Sequence, residues 1–155
     1  YSGQQTGLLI ALGVLAEVGI FLIAQRLIRQ FGVWLLLMLC LLLTAVRWYA
    51  LAGWADIGWI VVVTQLIHAL SFGLNHATSV HFIHHYLPAQ YHGRGQALYI
   101  GIAFGFGGAF GNFGAGQLWQ GGTNSYTTFA IAALSCLAGA LVLLLVRPKN
   151  MDSGY

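Results

Sequence analysis

Three ionisable side chains stand inside long apolar runs of this sequence: Glu17, Arg47 and His68. Glu17 interrupts LLIALGVLAEVGIFLIA at its middle. In lipid, a charged group costs at least about 2.5–3.5 kcal/mol at a helix centre, so such residues face protein, pair with one another and serve function. At 1.5 Å per residue, Glu17 and His68 fall roughly 15 Å from one face of the bilayer and Arg47 roughly 9 Å from it. An ion pair that only joins helices is one reading. Three such groups at similar depth on three successive runs favour a binding or proton-handling site. The third run adds Thr64, Ser71, Asn75, Thr78 and Ser79 at steps of three or four from His68, which is one face of a helix. Such a stripe lines a helix contact or a water-filled path. With His68 in it, the path is expected. Asn112, in the fourth run, is a further candidate to face a cavity.

The elements that must position these groups follow from composition. Of 155 residues, 6% are charged and 59% hydrophobic, with a mean hydropathy of +0.79. A soluble domain carries about 25% charged residues. Exposing so much apolar surface to water costs roughly 25 cal/mol per Å². A soluble enzyme, a disordered tail and a nucleic-acid module are excluded, since six scattered Lys/Arg make no phosphate-binding surface. The chain reads as an all-α integral membrane protein whose partner is the lipid bilayer. Runs of about 20 apolar residues predict spans at 7–24, 33–53, 57–82, 97–119 and 126–146. Cys40 and Cys136 each lie in such a run, and no disulfide is expected.

Orientation follows from basic residues. Arg26, Arg29, Arg94, Arg147 and Lys149 fall on one side if the spans alternate, while the loops at 54–56 and 121–125 carry none. The basic side is expected to be cytoplasmic, with residues 147–155 as a C-terminal tail there, in a bacterial-type inner membrane. Tyr1 then lies outside without a signal peptide, so at least one earlier span is expected upstream.

Two patterns carry rival readings. Glycines 101, 105, 107, 108, 111, 114 and 116 give small-xxx-small spacing, which predicts close helix packing and not a phosphate loop. His76, His81, His84 and His85 form HxxxxHxxHH. That cluster resembles the histidine boxes of membrane-bound di-iron desaturases, and imidazole suits iron or zinc. Six histidines, four of them crowded at one helix end, fall short of that family's separated boxes. No enzyme, metal or other cofactor is expected. His81, His84, His85 and His92 read as interfacial.

The stretches GVLAEVGIF (13–21), VRW (46–48), WIVVV with QLIH (59–68) and QALY (96–99), in this order and spacing, resemble the 3-phenylpropionic acid transporter group of the major facilitator superfamily. A more distant similarity to the lactose permease group places Arg47 and His68 on positions for proton coupling and sugar binding. There Glu17 sits about one turn from the matching Glu, and Ser71 replaces a carboxylate. The resemblance implies five of the six helices of the C-terminal bundle, a missing N-terminal half, and a cavity at the bilayer midplane. The implied activity is proton-coupled import of a small organic solute, with an aromatic acid such as 3-phenylpropionate ahead of a sugar or nucleoside. Candidate proton-coupling and substrate residues are Glu17, Arg47, His68, Ser71, Asn75 and Asn112, with Glu17 alternating between a proton and an ion pair with Arg47.

Overall fold

In the computed structural model, residues 1–146 and 151 are described; Arg147 and Lys149 lie outside them. The described residues are helical almost throughout and contain no strand. Helix α1 (Gly3–Phe31) starts on a capping box. Ser2 Oγ accepts from the Gln5 backbone N–H at 3.2 Å, and Gln5 Oε1 accepts from the Ser2 N–H at 2.9 Å. These bonds satisfy orphan donors of the first turn, so the helix begins before its apolar run does. It also continues past residue 24, placing Arg26 and Arg29 on its exposed last turns and not in a loop. Cations there complement the helix dipole.

Gly32 alone joins α1 to α2 (Val33–Trp54). Its φ of 76° and ψ of 163° lie where a Cβ clashes with the backbone, and its N–H donates to the Ile28 carbonyl at 2.9 Å. The third span is one helix from Gly58 to Tyr86, divided into α3 (Gly58–His68), a π-helical segment (Ala69–Leu74) and α4 (Asn75–Tyr86). It outruns the predicted 57–82 by four residues. Hydropathy marks where lipid ends, and a helix need not stop there.

The fourth span begins earlier than predicted. A 3₁₀ turn (Ala89–Tyr91) leads into α5 (His92–Ile100), a second π segment (Gly101–Phe106) and α6 (Gly107–Trp119). Gln120, Gly121 and Gly122 all have positive φ and turn the chain into α7 (Ser125–Leu145). Five stretches are long and apolar enough to cross a membrane, as expected.

Packing sorts these helices. α2 lies along α7, with Trp48 stacked on Phe129 at 5.6 Å. α1 packs on α3 and on the first π segment. The largest buried cluster joins Ala24 and Ile28 of α1, Val33, Leu36 and Cys40 of α2, and Leu74, with Phe82 and Leu143 against it. It gathers the C-terminal ends of α1, α4 and α7 with the N-terminal end of α2. Arg26 and Arg29 sit at that end, and Arg94 follows the turn after α4. The opposite end carries Asp56 and the aromatic residues Tyr49, Trp54, Trp59 and Trp119, an arrangement suited to an interface. Both cysteines are free. No residue of the fourth span is buried.

Gly32→Ala should lower the stability of the detergent-solubilised protein by about 1–3 kcal/mol, because alanine must adopt a glycine-only conformation. Thermal unfolding is the check, and an unchanged midpoint would refute the strained-link account.

Candidate functional site

Glu17 stands midway along α1, and His68 ends α3. Glu17 Oε1 and His68 Nε2 are 3.1 Å apart. The approach depends on two glycines. A Cβ on Gly73 would sit 3.4 Å from Glu17 Cγ and 3.7 Å from its Cα, and one on Gly13 would sit 3.4 Å from Gln65 Oε1. α1 therefore lies nearly against the backbone of the third span. His68 also stacks on Phe72, centroids 5.4 Å apart. Its Nδ1 is buried and has no hydrogen-bond partner among the described residues. A buried polar atom without a partner is uncommon, and at a functional site it is a position for a ligand atom or water.

Arg47 does not pair with Glu17. It is 8% exposed, its Nε donates to the Thr64 carbonyl at 3.0 Å, and its guanidinium lies over the Trp48 ring, 4.5 Å from the centroid. The cation is held by a carbonyl one turn before His68 and by a π face. That departs from the expected Glu17–Arg47 pair. The depth difference, roughly 15 Å against 9 Å, is bridged by neither side chain.

The polar stripe of the third span is a helix contact over much of its length and not an open path. Thr64, Ser71 and Thr78 are buried, and each hydroxyl is used within its own helix. Thr64 Oγ1 donates to the Val61 carbonyl at 2.7 Å, Ser71 Oγ to that of His68 at 3.2 Å, and Thr78 Oγ1 to that of Leu74 at 2.7 Å. Ser71 therefore braces the backbone at His68. Asn75 is half-buried at the start of α4. Asn112 is exposed on α6. Thr64, Ser71 and Thr78, seven residues apart, stay on the buried side through the π segment, so the stripe keeps its face there.

The histidines at the far end of the third span stack. His84 and His92 have centroids 4.5 Å apart and nearly parallel rings, and His92 Nε2 meets the Leu87 carbonyl at 2.9 Å. Among the described residues no three His, Cys, Asp or Glu side chains gather as metal ligands. From the sequence, His76 counts only in the histidine cluster and Tyr99 only as one aromatic, with Trp48, Tyr49 and Phe72, that suits a ring of the solute; their pairing is not visible there. His76 Nδ1 and the Tyr99 hydroxyl share a hydrogen bond at 3.3 Å, its donor set by the imidazole tautomer. Their spacing of 23 residues gives no periodic signal.

Five lipid-length helices, a Glu–His contact midway across two of them and a widened helix beside it define a polytopic membrane protein with an internal polar site. The profile of the MFS_1 like family matches residues 1–131. The chain belongs to that family, within the major facilitator superfamily. It is 33% identical over 134 residues to a protein named maltose permease from Geobacillus stearothermophilus, covering 84% of this chain and 33% of that protein. It is 30% identical over 153 residues to a probable 3-phenylpropionic acid transporter of Escherichia coli (strain K12), covering 99% of this chain and 38% of that protein. The chain thus spans about a third of the length of these curated relatives. No solved structure matches it.

A double-mutant cycle of Glu17→Ala and His68→Ala should show a coupling of about 0.5–3 kcal/mol in thermal or denaturant unfolding, as contacting polar groups do. Additive effects would mean that the two side chains do not interact. Gly73→Val should destabilise by about 1–3 kcal/mol, because its branched methyls meet Glu17 where a single Cβ still fits.

Proposed function

We propose that this chain is most of the C-terminal helix bundle of a proton-coupled secondary transporter, which imports a small organic solute across a bacterial-type inner membrane. The basic end faces the cytoplasm, and an N-terminal half supplies the other wall of a midplane cavity. The observation that carries this reading is the Glu17–His68 pair at the centre of two spans. A carboxylate halfway through a bilayer is tolerated as a proton carrier or as half of a pair, and this one is placed to be both.

Coupling follows from competition for one nitrogen. With Glu17 ionised, its oxygen holds His68 Nε2. A proton on Glu17 removes that charge and leaves Nε2 open to a carboxylate or hydroxyl of the solute. Loss of the proton re-forms the pair and weakens the solute's hold. Proton and solute occupancy are then linked by one free energy, which is what symport requires. Arg47 contributes positive potential from one turn away and keeps its orientation through Thr64 and Trp48.

For the solute, an aromatic acid such as 3-phenylpropionate agrees with the relative that aligns over 99% of the chain. The buried cation and the exposed rings of Phe72 and Phe104 suit a carboxylate with a phenyl group. A sugar is the second reading, favoured by the likeness to the maltose permease over 84% of the chain. The relatives' names, both of transporters, support a non-enzymatic role.

In energy-depleted, unbuffered cells carrying the full-length transporter, an inward gradient of 3-phenylpropionate should alkalinise the medium transiently, beyond transporter-free cells. Glu17→Gln should abolish that signal and uphill accumulation while leaving counterflow exchange. Uphill uptake by Glu17→Gln at the wild-type level would remove Glu17 from the mechanism. Alkalinisation with maltose alone would decide for the sugar.

A further inference from the structure

A group of rings between the third and fourth spans remains outside that account. Phe104, in the π segment Gly101–Phe106, is its hub. It meets Phe72 edge-to-face at 5.7 Å, His76 at 5.8 Å and Tyr99 at 5.8 Å. Phe72 lies in the other π segment and stacks on His68, so it bridges the cluster to the Glu17 pair. The Tyr99 hydroxyl shares a hydrogen bond with His76 Nδ1.

Two observations make this more than packing. π segments are rare, weaken regular helical bonding and recur at functional sites. Here two of them, in neighbouring spans, touch through Phe72 and Phe104. Both rings nevertheless stay 40% exposed, beside the polar His76–Tyr99 couple.

We infer that Phe72, Phe104, His76 and Tyr99 form a ring subsite, which takes a six-membered ring of the transported solute against the phenylalanines and a hydroxyl of that ring at His76 and Tyr99. The inference rests on the transport reading above and adds which part of the solute lies where. The acidic or polar head is held at His68, and the ring lies beyond Phe72 towards the basic end. Aromatic faces accept another ring by offset or edge contacts and so do not fix its identity. A tyrosine hydroxyl hydrogen-bonded to an imidazole has acceptor capacity left for an incoming O–H, and so discriminates rings that carry one. A phenol and a pyranose both present that chemistry.

The test is calorimetric titration of the purified full-length transporter with 3-phenylpropionate, 3-(4-hydroxyphenyl)propionate and maltose, for wild type, Tyr99→Phe and Phe104→Leu. The wild type should bind at least one hydroxyl-bearing ligand. Tyr99→Phe should weaken that ligand about five- to tenfold, the value of one hydrogen bond, and leave 3-phenylpropionate within about twofold. Phe104→Leu should weaken every bound ring by a similar factor. The ligand that loses affinity in Tyr99→Phe tells the phenol from the sugar. Tyr99→Phe keeps the ring against Phe104, so it decides the matter even where Phe104→Leu fails to fold. Unchanged affinities in Tyr99→Phe would overturn the subsite while transport stands. Binding of 3-phenylpropionate alone would also overturn it. Failure of all three ligands to bind the wild type would overturn the subsite together with the solute classes proposed for transport.

Discussion

A carboxylate at the middle of a hydrocarbon slab has no water to solvate it, and the arrangement of α1 against the third span answers that constraint. Glu17 is kept there either by a proton or by a donor, and His68 reaches it at 3.1 Å. The contact needs the two helices closer than ordinary side chains allow, which is why the residues facing the pair are Gly13 and Gly73. It also needs the His68 ring held in place, and Phe72 stacks beneath it while Ser71 ties the backbone carbonyl above. Each of these is a small local requirement. Together they fix the register of two spans.

The second buried charge is handled differently. Arg47 has no carboxylate, so its charge is spread over a carbonyl and the face of Trp48. A guanidinium suits this because it is planar and more weakly hydrated than an ammonium, so it lies flat on the ring while its N–H reaches the carbonyl. Trp48 in turn stacks on Phe129, so the most extensive helix contact, α2 on α7, also carries the support for Arg47. Burial of the cation and docking of the peripheral helices are thus one event.

Much of the fold was legible in the sequence because lipid imposes a coarse rule, about 20 apolar residues per crossing, and all five spans obey it. Their ends were less so. Ser2 and Gln5 cap α1 through side-chain bonds that hydropathy does not weigh, and Arg26 and Arg29 continue a helix beyond its apolar run. Within the candidate site, Glu17, Arg47 and His68 were visible as ionisable residues in apolar runs. Their pairing was not. Opposite charge suggested Glu17 with Arg47, whereas equal depth along the helices already matched Glu17 to His68. The polar stripe keeps a common buried side, but its hydroxyls bond to carbonyls of their own helix, and spacing alone does not tell such a contact from a water-lined path. ALSFGL (69–74) carries no composition that announces a wider turn.

The third span serves two directions. Before residue 69, the third span offers Thr64 and His68 to α2 and α1. After residue 74, it offers His76 to Tyr99 on the fourth span. α4 also keeps packing on α1 and α2, with Thr78 buried, so the further neighbour is reached without giving up the first. The fourth span widens at the matching place, and its Phe104 meets Phe72 there. The fourth span buries none of its own residues, yet it is seated on the third through more than rings: the Gly95 backbone lies so close to Ile83 and Leu87 that a Cβ there would overlap their methyl groups.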